Sequence, residues 1–144
     1  MSPAPYAGLV TRAVAFVIDA LIINAVSVIL VACGALVLSV LFPEGKDFGL
    51  SGVLAGLGTL WLTGIVYFLA FWTLTGQTIG MRIMRLRVVD RAEGRPRLGR
   101  SVVRLIGMWL AAIPFMAGYV MILFDRRRQG LHDKLARTFV RYAA

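Results

Sequence analysis

The chain has 144 residues, 59% of them hydrophobic and 16% charged, with a mean hydropathy of +0.80. A soluble domain is about a quarter charged and roughly half apolar, so this balance argues against an ordinary soluble globule and for a membrane. Fourteen arginines and two lysines against seven acids give +9, a surplus suited to nucleic acid or to an anionic membrane surface, and its placement decides between them.

The first eleven residues lack the basic start of a cleaved signal peptide, and the apolar run behind them is too long for one. Residues 13–42 hold a single charge over thirty residues, about 45 Å of helix against a hydrocarbon layer of about 30 Å. A first membrane helix is therefore expected over about 9–42, tilted or starting at headgroup depth near Arg12. Cys33, the only cysteine, lies inside this run, rules out an intramolecular disulfide and is expected as a small buried hydrophobe. The Pro and Gly-rich "FPEGKDFG", 42–49, makes a short turn whose Glu44, Lys46 and Asp47 sum to minus one. A second spanning helix follows over about 50–75, with Trp61, Tyr67 and Trp72 along it and a GxxxG at Gly52 and Gly56 where another helix could approach.

The basic loop 76–104 carries eight arginines against Asp90 and Glu93, and within it "RLRVVDRAEGRPRL" alternates around "RAEG" as a short β-hairpin would. Residues 105–124 are uncharged again, but Pro114 divides them into two pieces of about half a bilayer each. Val102, Val103, Ile106, Trp109, Leu110 and Ile113 fall on one stripe, as in a helix lying in the interface. A re-entrant or interfacial hairpin is favoured over a third crossing, because one crossing would put either the basic loop or the basic tail, 125–144, outside. The arginines then mark the cytoplasmic side, and no base-stacking aromatic lies among those of residues 76–104, so no nucleic acid is expected. The fold class is an all-α membrane protein with one domain over 1–144: two transmembrane helices, a third apolar segment and a short cytoplasmic β-hairpin-like loop.

"RAVAFVIDALII", 12–23, sets Asp19 among hydrocarbon. Arg12 and Asp19 are about 20° apart around a helix and about 10.5 Å along it, so they share a face without touching. A charged carboxylate there must face protein or a wet cavity. Either an arginine from the second half of the chain pairs with Asp19, the favoured reading, or Asp19 lines a polar path; Asn24 adds a polar group on another face. In "FDRRRQGLHDKLART", Asp125 is placed to cap the helix that follows. His132 and Asp133 could titrate near neutral pH or hold a proton or cation, though a tail whose acids pair with its own arginines is the favoured reading. One histidine and one cysteine make a poor zinc site, "TGQTIG" is too short for a nucleotide loop, and no catalytic signature occurs. No enzyme activity, metal or cofactor is expected.

At these residues the sequence resembles the RDD family of small bacterial membrane proteins. "GLVTRAVAFVIDALI" matches the family's first helix, with Arg12 and Asp19 as its named arginine and first aspartate. "GQTIGMRIMRLRVVD" is similar to the stretch after its second helix, and "FDRRRQGLHDKLART" to its ending, where Asp133, or alternatively Asp125, stands for the second aspartate. Met81 departs from the lysine often found there. The resemblance implies a bacterial inner-membrane protein for which transport of ions or small ligands has been proposed, here through Arg12, Asp19 and possibly Asp133, with both termini cytoplasmic. The alternative is an accessory or scaffold subunit, working as a homo-oligomer or with other membrane subunits. A third option, recognition of anionic lipid by the arginines, ranks below the topology explanation.

Overall fold

A computed structural model describes residues 6–42, 49–90, 92–113, 117–125 and 127–143. The expected turn at 43–48 and the break at Pro114 lie outside the described residues. Helix α1 (Leu9–Leu41) and helix α2 (Gly49–Leu74) form because long apolar runs with few charges and no proline favour the intrahelical ladder as the way to pair every backbone group. Both are long and apolar enough to cross a bilayer. Each of them is divided between two compact units, Ala20–Val66 in one and the rest of the chain in the other.

Within the Ala20–Val66 unit, Ile23 and Ser27 are buried on one face of α1, and a Cβ added to Gly64 would touch the Ile23 side chain at 3.8 Å. Cys33 is exposed rather than buried as expected, because no described residue covers it. Asn24 is exposed too, and a Cβ at Gly56 would meet nothing within 4 Å.

The second unit holds the polar half. After α2 come a short helix α3 (Ile79–Ile83), strand β1 (Leu86–Asp90), helices α4 (Leu98–Ala112), α5 (Ala117–Phe124) and α6 (Leu131–Ala136), and strand β2 (Thr138–Tyr142). β1 and β2 pair antiparallel with Val88 opposite Val140 and Leu86 opposite Tyr142, and Leu86, Val88 and Val140 are fully buried. This corrects the expected local hairpin. A turn does form, with Asp90 accepting from the Ala92 and Gly94 amides, but Pro96 offers no N–H to a ladder and Arg97 already stands at the start of α4. Both edges of the small sheet are covered, β1 by Val88 donating to the Gly76 carbonyl at 2.9 Å and β2 by Ala7 donating to that of Val140 at 3.0 Å.

Helix α4 packs against α5 and α6. It buries Ser101, Arg104, Gly107 and Ala111 and exposes all six residues of the apolar stripe, the inverse of a soluble helix. A Cβ on Gly107 would lie 2.9 Å from the His132 Cα, so only glycine lets α4 and α6 come this close.

Candidate functional site

Asp19 is sealed by three neutral donors. The Thr78 hydroxyl donates to one oxygen at 2.5 Å, and the Tyr67 hydroxyl and the Gly80 amide donate to the other, each at 2.7 Å. The expected arginine partner is thus replaced by hydroxyls and a backbone N–H. These contacts explain why a carboxylate sits there: the first amides of α3 have no intrahelical acceptor, and Asp19 takes Gly80 while the Tyr67 hydroxyl takes Ile79 and Thr78 takes Met81. Asp19 acts as a helix cap supplied from another helix. Gly80 is required for this, because a Cβ there would collide with the Ala15 carbonyl and come within 2.9 Å of the Asp19 carboxyl.

Asp133 forms the second centre, with a fully buried side chain. One oxygen pairs with Arg12 and also accepts the Gly130 amide at 3.2 Å, and the other pairs with Arg104. Its partners come from α1 and α4, not from the tail's own arginines as expected. Burial by itself would raise the Asp133 carboxyl, but the neighbouring cations, Arg104 foremost, hold it well below the usual carboxylate range. Two guanidiniums against one carboxylate leave one positive charge over. That charge is spread onto neutral acceptors: Arg12 donates to the Ala7 and Arg128 carbonyls, and Arg104 donates to the Thr138 hydroxyl at 2.9 Å and lies 5.0 Å from the centre of the Trp72 ring.

His132 borders this centre, its Nε2 3.6 Å from Asp133. Burial lowers its pKa to about 4 despite the opposing pull of Asp133, so it is neutral at pH 7 rather than titrating there, the less favoured of the two readings of the sequence. The folded value lies below the unfolded one of about 6.5, so acid favours the unfolded chain. Stability is then complete above about pH 6.5 and falls, by on the order of 3 kcal/mol, as the pH drops to about 4. Thermal unfolding in detergent should show this slope, and His132→Gln should flatten it.

Asp125 stands apart from both centres. It pairs with Lys134 at 2.9 Å and accepts the Arg127 and Gln129 amides, so it caps a turn rather than the start of α6, where Gly130 is the N-cap. Its pKa is lowered chiefly by the Lys134 hydrogen bond. Among the described residues no group of histidine, cysteine and acidic side chains could hold a metal. Thr78 and Gly80 carry no signal in the sequence, Tyr67 stands out only as an aromatic along the second helix, and Arg104 only as the one charge on the small-residue face of α4.

The RDD family model matches residues 6–137. The chain belongs to the RDD family. Among its relatives, an uncharacterized protein of Rickettsia prowazekii is 39% identical over 51% of this chain and 41% of its own length. A proline-rich antigen of Mycobacterium leprae is 29% identical over 90% of this chain and 58% of its own length. An uncharacterized protein of Bacillus subtilis is 29% identical over 94% of this chain and 97% of its own length. The chain spans about half the length of the first two. No solved structure gave a significant match.

Proposed function

We propose that this RDD protein is a non-enzymatic assembly subunit of the bacterial inner membrane, in which Arg12, Asp19 and Asp133 lock the first helix to the polar module rather than carry cargo. The observation supporting this reading is that both carboxylates are sealed and have their oxygens taken up by fixed protein donors. A relay carboxylate needs a face open to its ion or proton, and neither has one. The outward apolar stripe of α4 suits a helix lying in the interface beside two spanning helices, with the arginine-rich segments and both termini cytoplasmic. Asn24, exposed on an apolar helix, would find its hydrogen bonds on a second copy or another membrane subunit.

Reconstituted into liposomes loaded with pH- and cation-sensitive dyes, the protein is expected to give no flux above protein-free vesicles. Extraction in mild detergent should recover a homo-oligomer or a stoichiometric membrane partner. Flux that disappears in a folded Asp19→Asn variant would restore the transport reading, and a lone monomer would remove the assembly reading.

A further inference from the structure

Each described acid is committed: Asp19 to its three donors, Asp90 to Arg100, Glu93 to Arg141, Asp125 to Lys134 and Asp133 to Arg12 and Arg104. Among the described arginines without a carboxylate partner, those at 82, 85 and 87 lie in one short stretch of chain. All three are exposed, and none has a carboxylate partner or a side-chain hydrogen bond among the described residues. They are not scattered. Together with Gln77 and Ala143 they line one open depression of about 510 Å³.

Local structure brings them together. Arg82 is in the last turn of α3, and Arg85, at φ +54°, turns the chain from that helix into β1. Strand alternation then buries Leu86 and Val88 and sends Arg87 outward. Backbone bonding holds the far wall, since the Ala143 amide donates to the Arg85 carbonyl at 2.7 Å. Three like charges in one concavity, with no carboxylate partner among the described residues, repel each other and focus a positive potential on it. Planar guanidinium forks match phosphate oxygens, and the Gln77 amide adds a neutral donor.

We propose that this depression binds a phosphate group carrying at least one full negative charge. The group could belong to a lipid headgroup or to a soluble phosphate. Ile79 and Ile83 of the helix that carries Arg82 are exposed apolar residues, and α3 begins a few residues beyond the end of α2, which favours a lipid headgroup as the source.

The test uses the whole chain in nanodiscs of phosphatidylcholine alone or with phosphatidylglycerol, measuring lipid retained on extraction by native mass spectrometry. Titration with inorganic pyrophosphate in neutral nanodiscs forms the second arm. Binding is expected to weaken at least tenfold in Arg87→Gln and to stay within twofold in Arg97→Gln, which removes an equally exposed, unpaired arginine outside the depression. Both side chains point outward, and matching unfolding temperatures would confirm that both variants fold. Retention of phosphatidylglycerol with weak pyrophosphate binding assigns the site to lipid, and the reverse assigns it to a soluble phosphate. No binding in either arm, or equal losses in the two variants, overturns the proposal.

Discussion

Replacing Asp133 with alanine is expected to cost about 3–5 kcal/mol of folding stability, because it leaves two buried guanidiniums facing each other with no anion between them. Folded proteins hold only about 5–15 kcal/mol in total, so the purified variant should unfold at a markedly lower temperature or be recovered largely aggregated. The sign follows from the asymmetry of buried ion pairs. An intact pair contributes little net stability, since desolvation offsets most of the attraction, whereas a broken one exposes the full cost of the unpaired charge. Arg104 is the worse placed of the two, with its guanidinium enclosed between Asp133, Thr138 and the Trp72 ring. Removing Arg104 as well, with methionine in its place, should recover part of the loss, while Asp125→Ala, at a partly exposed carboxylate, should change stability by less than about 1 kcal/mol.

The second large effect is expected at Asp19. Leucine there suits the hydrocarbon around it by composition, yet it strands the Tyr67 and Thr78 hydroxyls and the Gly80 amide. Each buried unpaired donor costs about 1–3 kcal/mol, so a loss on the order of 3 kcal/mol is expected even though a charge has been removed from an apolar helix. Asparagine should fall between the two, since its oxygen can still accept while its amide group faces a donor. Gly80→Ala is expected to produce a loss of about 1–3 kcal/mol with Asp19 intact, because the obstacle is the Ala15 backbone, which cannot rotate away. Denaturant titration of the four proteins in one detergent would rank them. If the leucine variant were as stable as the unmodified chain, the capping role of Asp19 would be wrong.

What could be read from the sequence follows from how local each signal is. The two long apolar helices were legible because a long, nearly uncharged run admits few other structures, and the α4 stripe because helical spacing is written into neighbouring residues. The partner of β1 was not, since β2 lies about fifty residues away and the nearby "RAEG" turn competed as a local explanation. Arg12 and Asp19 stood out as charges in hydrocarbon, but their partners did not. Arg12 meets Asp133 across 121 residues, and Asp19 is held by a tyrosine, a threonine and a backbone amide, groups too common to be noticed without coordinates. Sequence reasoning favoured charge against charge for Asp19, whereas three short neutral hydrogen bonds satisfy a carboxylate without burying a second ion.

Arg12 and Asp133 act as one structural unit that ties α1 to α6. A double-mutant cycle measures this directly, using Arg12→Met, Asp133→Leu and the combined variant, each unfolded by denaturant in the same detergent. The account predicts that the combined loss is smaller than the sum of the single losses by about 1–3 kcal/mol. Single losses that add to within about 0.5 kcal/mol would contradict it.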